Sequence, residues 1–429
     1  MSFTHHRTIL PNGLTVVTVE TPHLHSAMVS VYVRVGSRHE TKENNGVSHF
    51  LEHLFFRGSH RHKDTVKMNA QVEAVGGNLN GITTRDCSYY YTPCHPSSVR
   101  LCLEVLGDML TSPRLVHLGL EKRIILEEML DEVDERGRDI DLDNLAKREL
   151  YGEHPLAFKI AGTPETVRAM TLAKVKRHFA HHYVAGNMVV AVSGPIDRLE
   201  VEHTVRRAFG KLPEGPRVGE TPPPEPPAGP HLRHVRFDEA QTELRLSFPT
   251  VSDAHPDFAA LTVLRRVLDD GLSSRLPYNV VERRGLAYSV SAALEAFHDT
   301  GVFDVEGACA PDAAGALATE ICRTLSSLRA GQISQEELDR AKGRHRMHLD
   351  FLQDSPADLV GWFGGTELFR PPESFDERCR AVDQVTLADL KRVSRQYLRK
   401  DRLRAIAVGP GSGLKSLRAA VDKAEGLSG

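Results

Sequence analysis

The sequence predicts an α+β protein of two homologous domains, each a largely antiparallel sheet packed with helices. Three observations predict it. Strand-like and helix-like runs are mixed in each half without strict β-α-β alternation, which argues against a doubly wound parallel sheet. One pattern occurs late in each half: MTLAKVKRHFAHHYVAGNMVVAVSG, Met170 to Gly194, and VTLADLKRVSRQYLRKDRLRAIAVG, Val385 to Gly409. Both read Thr-Leu-Ala, a helix containing Lys-Arg, a Tyr, a turn and a β-run ending in Gly. Their spacing is near half the chain, so the pattern marks a domain duplication rather than a solenoid. Finally, GETPPPEPPAGP, Gly219 to Pro230, is a proline-dense stretch near the middle, and proline continues neither a helix nor a central strand. The expected limits are 1–216 for the N-terminal domain, 217–231 for the linker and 232–429 for the C-terminal domain.

The 429 residues suffice for each domain to bury a core. Composition is that of an ordinary globular protein. A formal net charge of −3 gives no reason to expect a nucleic-acid partner or an anionic membrane. No apolar run approaches the ~20 residues that span a bilayer, so no membrane partner is expected. The opening MSFTHHRTILPNGLTVVTVE lacks a signal-peptide core and reads directly as structure, with Asn12-Gly13 turning a hairpin. The six cysteines, Cys87, Cys94, Cys102, Cys309, Cys322 and Cys379, form no CxxC pair. A reducing, cytoplasmic location is the expectation.

Taken in order, SAMVSVYVRVGS alternates Val29, Val31, Val33 and Val35 as a half-buried strand does. GVSHFLEHLFFRGS, Gly46 to Ser59, reads as a helix with Phe50, Leu51, Leu54, Phe55 and Phe56 as its apolar residues and Gly58 as its stop. It carries His49, Glu52 and His53 at i, i+3 and i+4, on one face. A solvated polar stripe is the plain alternative, but two imidazoles around a carboxylate are an odd way to make one. GGNLNGITT then reads as a β-run entered through a Gly-Gly turn, and Tyr89, Tyr90 and Tyr91 as strand and core residues. LEKRIILEEMLDEVDE, Leu120 to Glu135, reads as an acidic helix with Glu121, Glu128 and Glu135 on one stripe, Ile124 and Ile125 between them. Buried carboxylates need a partner, and a cation is a good one. Glu127, Asp131, Glu132 and Asp134 read as a solvated face.

Two histidines make an incomplete site, because catalytic zinc usually has three protein ligands and one open position. Periodicity alone leaves Glu121 and Glu128 both open as the third. In the second half TELRLSF repeats the strand with Leu244, Leu246 and Phe248. Pairing Gly58 with Gly271 sets Thr262, Arg265 and Arg266 opposite His49, Glu52 and His53. The C-terminal domain would then lack metal ligands, and the fold would not need the cluster.

HFLEH resembles the inverted zinc motif HxxEH of the inverzincins. The wider sequence resembles the pitrilysin/insulinase and mitochondrial processing peptidase family, of the bacterial half-clamp type. The likeness runs in order through GGNLNGITTRDCSYYYTP (Gly76 to Pro93), RIILEEM, EHPLAFKIAGT (Glu153 to Thr163) and GLSSRLPYNVVERRGLAYSV (Gly271 to Val290).

That resemblance implies a zinc metalloendopeptidase. His49 and His53 would bind Zn²⁺ with Glu128, 75 residues after His53, as third ligand, and Glu121 would support the site from behind. Glu52 would act as general base. Asn80, Gly81, Ile82 and Thr83 would form an edge strand beside the metal, where an extended peptide pairs by β-augmentation. Tyr288 of GLAYSV would contribute from the C-terminal domain. The sequence departs at one place: the family's Arg seven residues before that Tyr is here Val281, with Arg283 and Arg284 displaced from the position.

Two such domains form half of a clamp in the family. The implied partners are therefore peptide substrates and either a second copy or a related subunit carrying the Arg/Tyr pair. The alternative is a non-catalytic or partner-dependent structural subunit of the same family. A metal-storing protein would leave Glu52 without a task. A mitochondrial processing role is not expected, because the N-terminus lacks an Arg- and Ser-rich, acidic-poor character.

Overall fold

The structure, a computed structural model, describes residues 3–428. The strands of the first half are β1 (Thr4–Ile9), β2 (Thr15–Glu20), β3 (Ala27–Val33), β4 (Asn80–Thr83), β5 (Ser88–Cys94) and β6 (Met188–Gly194). They form one sheet in the order β1-β2-β6-β3-β5-β4. The second half contributes β7 (His231–Arg236), β8 (Thr242–Thr250), β9 (Ser289–Ala296), β10 (Gly301–Cys309) and β11 (Arg404–Gly409), in the order β7-β11-β8-β10-β9. The β1–β2 hairpin turns at Asn12-Gly13, where Gly13 has φ +90°.

Without β1 the two orders superimpose strand for strand. Each sheet has one parallel pair, β2 with β6 and β7 with β11, and is otherwise antiparallel. The sheets therefore carry the duplication that the paired motifs announce.

The first half has helices α1 (Val47–Phe55), α2 (Thr65–Glu73), α3 (Val99–Thr111), α4 (Leu118–Glu128), α5 (Leu142–Tyr151), α6 (Pro164–Arg168), α7 (Leu172–His182) and α8 (Arg198–Phe209). The second has α9 (Phe258–Leu268), α10 (Ala314–Arg329), α11 (Gln335–Gln353), α12 (Pro356–Val360), α13 (Phe375–Asp383), α14 (Leu387–Tyr397) and α15 (Leu414–Lys423).

The repeated motif has a local cause at each end. Its Thr is the N-cap in both copies: Thr171 accepts from Lys174 N ahead of α7, and Thr386 from Asp389 N ahead of α14. Its closing Gly is a close approach in both. A Cβ on Gly194 would stand 2.7 Å from Ala27 Cβ, and one on Gly409 would stand 2.8 Å from Thr242 Cα.

The chain packs as two compact units. One takes the residues through Met129, then Phe158–Thr221 and Asp350–Pro372; the other takes Leu130–Ala157, Pro222–Leu349 and the residues from Glu373 on. Each sheet is thus backed by a segment from the far half of the sequence. Helix α12 lies on β3 and β6 of the first sheet, and α5 lies on β8 and β11 of the second. The proline-dense segment carries no helix or strand, and Thr221–Pro222 is one of the unit boundaries.

Two element readings need correction. The strand through Val29, Val31 and Val33 is not half-buried: all seven residues of β3 are buried. It lies between β6 and β5, and the α12 segment covers the face that alternation assigns to solvent. The acidic helix does not reach Glu135. Helix α4 ends at Glu128 and tightens into a 3-10 turn over Met129–Glu132, where the chain leaves the first unit, so Glu135 is not on the stripe.

Candidate active site

Helix α1 is buried through Phe50, Leu51, Leu54 and Phe55, and packs against α7, α4 and β4. Its remaining face presents His49, Glu52 and His53 together. Helix α4 brings two glutamates to that face, and their surroundings separate the two candidates that periodicity leaves equal.

Glu128 Oε2 lies 3.5 Å from His53 Nε2 and 3.9 Å from His49 Nε2, and its side chain is half-exposed. Glu121 is fully buried one heptad earlier. Its Oε2 lies 3.2 Å from His53 Nδ1, and its Oε1 accepts from Arg57 Nε. The Glu121 pairing puts the ring proton of His53 on Nδ1 and leaves Nε2 a lone pair turned toward Glu128.

Whether these residues fit a metal ion is a question of spacing and charge. Two donors at ~2.0–2.2 Å from one ion, at tetrahedral angles, lie ~3.3–3.6 Å apart. The ligand atoms of His49, His53 and Glu128 all lie within 4.8 Å of one another, so small side-chain movements would close them on one ion. Burial, and then repulsion by His53, hold the His49 imidazole down to about 3, so the ring is neutral and its lone pair available. Nitrogen-nitrogen-carboxylate is a common donor set for catalytic zinc. The residues fit.

Glu52 points from the same face but has other partners. Thr83 Oγ1 donates to Glu52 Oε2 at 2.5 Å. A Cβ on Gly81 would stand 3.1 Å from Glu52 Cγ and 2.9 Å from the Phe56 ring, so only glycine lets β4 lie so close over this carboxylate. Burial raises the Glu52 carboxyl above its ordinary value, with the Thr83 hydrogen bond pulling back. Thr83 is buried, and its hydroxyl serves Glu52. Asn80 and Gly81 are partly exposed, and Ile82 is exposed. Strand β4 has a partner only on its β5 side among the described residues, so its other edge can accept an extended chain.

Sequence reasoning missed how α1 begins. Its N-cap, Gly46, has no side chain, and φ +89° places it in the left-handed region. A Cβ there would stand 2.4 Å from Ala161 O, inside the EHPLAFKIAGT segment. The cap comes instead from Glu40, a buried carboxylate six residues upstream. It accepts from Gly46 N (2.6 Å), Ser48 N (2.8 Å) and Asn45 Nδ2 (2.8 Å). Burial pushes its carboxyl up to about 7 against the pull of these bonds. A glycine where an N-cap should stand, with a glutamate shortly before it, was the available signal.

Two other expected residues lie in the second unit. Tyr288 precedes β9 and is 91% exposed. Val281 lies in a wide helical turn over Pro277–Glu282 and packs partly against that unit's core. Arg283 and Arg284 are both exposed, and Arg284 pairs with the buried Glu320 at 3.1 Å.

Comparison with known proteins shows a family and a fold. The family description "Insulinase (Peptidase family M16)" matches residues 15–164, and "Peptidase M16 inactive domain" matches 169–344. An uncharacterized zinc protease of Mycobacterium bovis is 33% identical over 422 residues, which cover 96% of this chain and 94% of that protein. An Arabidopsis thaliana protein described as a probable mitochondrial-processing peptidase subunit beta is 29% identical, with 94% of this chain and 78% of that protein covered. The fold matches the crystal structure of a protease from Helicobacter pylori with a TM-score of 0.88 at 24% identity, covering 95% of this chain and all of that one.

Proposed function

The chain belongs to the insulinase (M16) family of peptidases, and from that premise we propose that it is a zinc-dependent endopeptidase acting on peptides or unfolded segments. One observation carries the proposal: His49, His53 and Glu128 converge beside an independently held Glu52. A bound Zn²⁺ would supply a Lewis acid for the peptide carbonyl and lower the pKa of its water toward ~7.

The residues around it have separate tasks. Neutral His49 and His53 would bind through Nε2 and Glu128 through a carboxylate oxygen, while Glu121 fixes the tautomer of His53. Glu52 would take a proton as general base and deliver it to the leaving amine. Thr83 and Gly81 hold that carboxylate in place. Asn80, Gly81 and Ile82 would offer the open edge of β4 to an extended substrate, so recognition would rest on main-chain hydrogen bonds. Tyr288 would assist at the substrate carbonyl. Free cysteines support a cytoplasmic setting.

Val281 favours a second, partner-dependent reading. Valine has no donor with which to stabilise developing negative charge. Arg284 is held by Glu320, which leaves Arg283 as the nearby substitute. We therefore propose that this chain contributes the zinc site of a two-chain assembly and that a related subunit carrying an Arg and a Tyr completes it. The test is metal content, native mass and cleavage of a quenched peptide, with and without chelator. Zinc binding with weak turnover alone, restored by the related subunit, is the expected result. Robust chelator-sensitive turnover by the homodimer would overturn the need for a partner, and absence of stoichiometric zinc would overturn the peptidase reading.

A further inference from the structure

We propose that Glu40 is the positioning residue for His49: it clamps the first turn of the metal helix and so sets the place of the first zinc ligand. The inference rests on the zinc site described above. The two histidines differ in how they are held. His53 has its ring fixed from behind by Glu121. His49 Nδ1 is buried, and no protein group among the described residues hydrogen-bonds it. The place of the His49 ring is therefore governed by its backbone, as the third residue of α1.

That backbone is held from two sides. Glu40 takes the N–H groups of Gly46 and Ser48, two of the donors that a helix start leaves unsatisfied. Asn45 links the same carboxylate to Lys159 O, and so to the EHPLAFKIAGT segment. From the other side His178 Nε2 lies 2.9 Å from Ser48 Oγ.

Three N–H donors converge on the two carboxylate oxygens. Glutamine is nearly isosteric but would turn its own amide N–H toward one of these donors. It fills the space without reproducing the clamp. Aspartate keeps the acceptors but shortens their reach by one methylene. A local Ser or Asp cap at position 46 cannot replace Glu40, because Gly46 and Gly162 meet back to back. A Cβ on Gly46 would stand 2.9 Å from Gly162 Cα, and one on Gly162 would stand 2.9 Å from Gly46 Cα.

The experiment uses the full chain as wild type, Glu40→Gln and Glu40→Asp. It reads zinc affinity by chelator competition, the visible spectrum of the Co²⁺-loaded protein, and thermal unfolding of the metal-free form. Glu40→Gln is expected to weaken zinc binding ~10–100-fold and to change the Co²⁺ spectrum, with Glu40→Asp between it and wild type. A purely structural role would lower the melting temperature alone; unchanged affinity and spectrum in a folded Glu40→Gln overturn the inference. If Glu40→Gln does not fold, the same two readings on Glu40→Asp decide. If neither variant folds, Glu40 is a folding residue and the inference is overturned. Failure of the wild type to bind either metal overturns the peptidase reading instead, which keeps the two failures apart.

Discussion

Helices α1 and α9 occupy the same place in two copies of one fold. Each ends three residues before a glycine in the left-handed region, Gly58 at φ +101° and Gly271 at φ +103°, and each packs on the outer strand of its sheet, β4 or β9. The three corresponding positions are treated differently. In the second unit Thr262 donates to Phe258 O and Arg265 to Asp269 O, each a partner four residues away, and Arg266 donates to Asp270 and to His345. In the first unit the two imidazoles turn their Nε2 atoms toward a carboxylate on another helix. The same backbone thus tolerates both solutions. Polar side chains that a helix satisfies locally belong to its stability, and those it leaves facing one another mark the site.

The sharpest way to break this comparison is Glu52→Gln. Zinc should stay, and hydrolysis should fall at least ~10²–10⁴-fold, read as turnover at equal zinc occupancy in whichever assembly is active. Arg265→Gln at the matching position should leave zinc and turnover unchanged. Next come the two glutamates. Glu128→Ala should empty the site in a metal titration, whereas Glu121→Ala should cost roughly 10–100-fold in affinity. The reverse order would exchange their roles.

Acid should weaken the first unit more steeply than the second. Burial, and then neighbouring imidazoles, hold His178 down to about 3 and His182 to about 2, so both are neutral when folded and protonate on unfolding below their ordinary value of 6.5. Their contribution to stability is complete above pH 6.5 and is lost as pH falls toward those values. Glu40, pushed up to about 7, acts in the opposite sense between pH 4.5 and 7 and offsets one proton. In the metal-free chain His49, held to about 3, adds a third such proton. These groups should therefore cost the first unit about 2.5 kcal/mol per pH unit near pH 5.5, against about 1.2 for the second unit, where burial holds His345 down to about 4, read from denaturant midpoints. A flat profile would show the histidines protonated in the folded state.

The smallest effect separates the two glycines. Gly271→Ala places its Cβ in open space and should cost only the left-handed backbone, about 1–2 kcal/mol. Gly58→Ala meets His62 O at 2.6 Å and should cost more. Equal shifts in unfolding midpoint would mean that the His62 backbone yields freely.

The sequence makes plain whatever is local. The i, i+3, i+4 spacing of His49, Glu52 and His53 survives into three dimensions because a helix enforces it. The paired Thr and Gly of the repeated motif are N-caps and close approaches in both copies. What escapes the sequence is long-range. Glu121 and Glu128 share a stripe, so only their distances to His53 and their burial distinguish them. The outer face of β3 reads as solvated because the segment covering it lies some 300 residues later. Glu40 carries no periodic signal, since it reaches across a loop to cap a helix that it does not belong to.

That late-arriving cover has a consequence for how the protein is made. The segment Asp350–Pro372 belongs to the first unit, and its Gly364 lies so close over β3 and β6 that a Cβ would stand 2.3 Å from Ala191 Cβ. On a ribosome the strands it covers emerge long before it does. At about 5–20 residues per second, the roughly 150 residues between Thr221 and Pro372 take on the order of ten seconds. Throughout that interval the face of β3 and β6 that carries Tyr32 and Ala191 has no native cover. A nascent chain stalled at the proline-dense segment would display a sticky sheet face, a natural target for a chaperone.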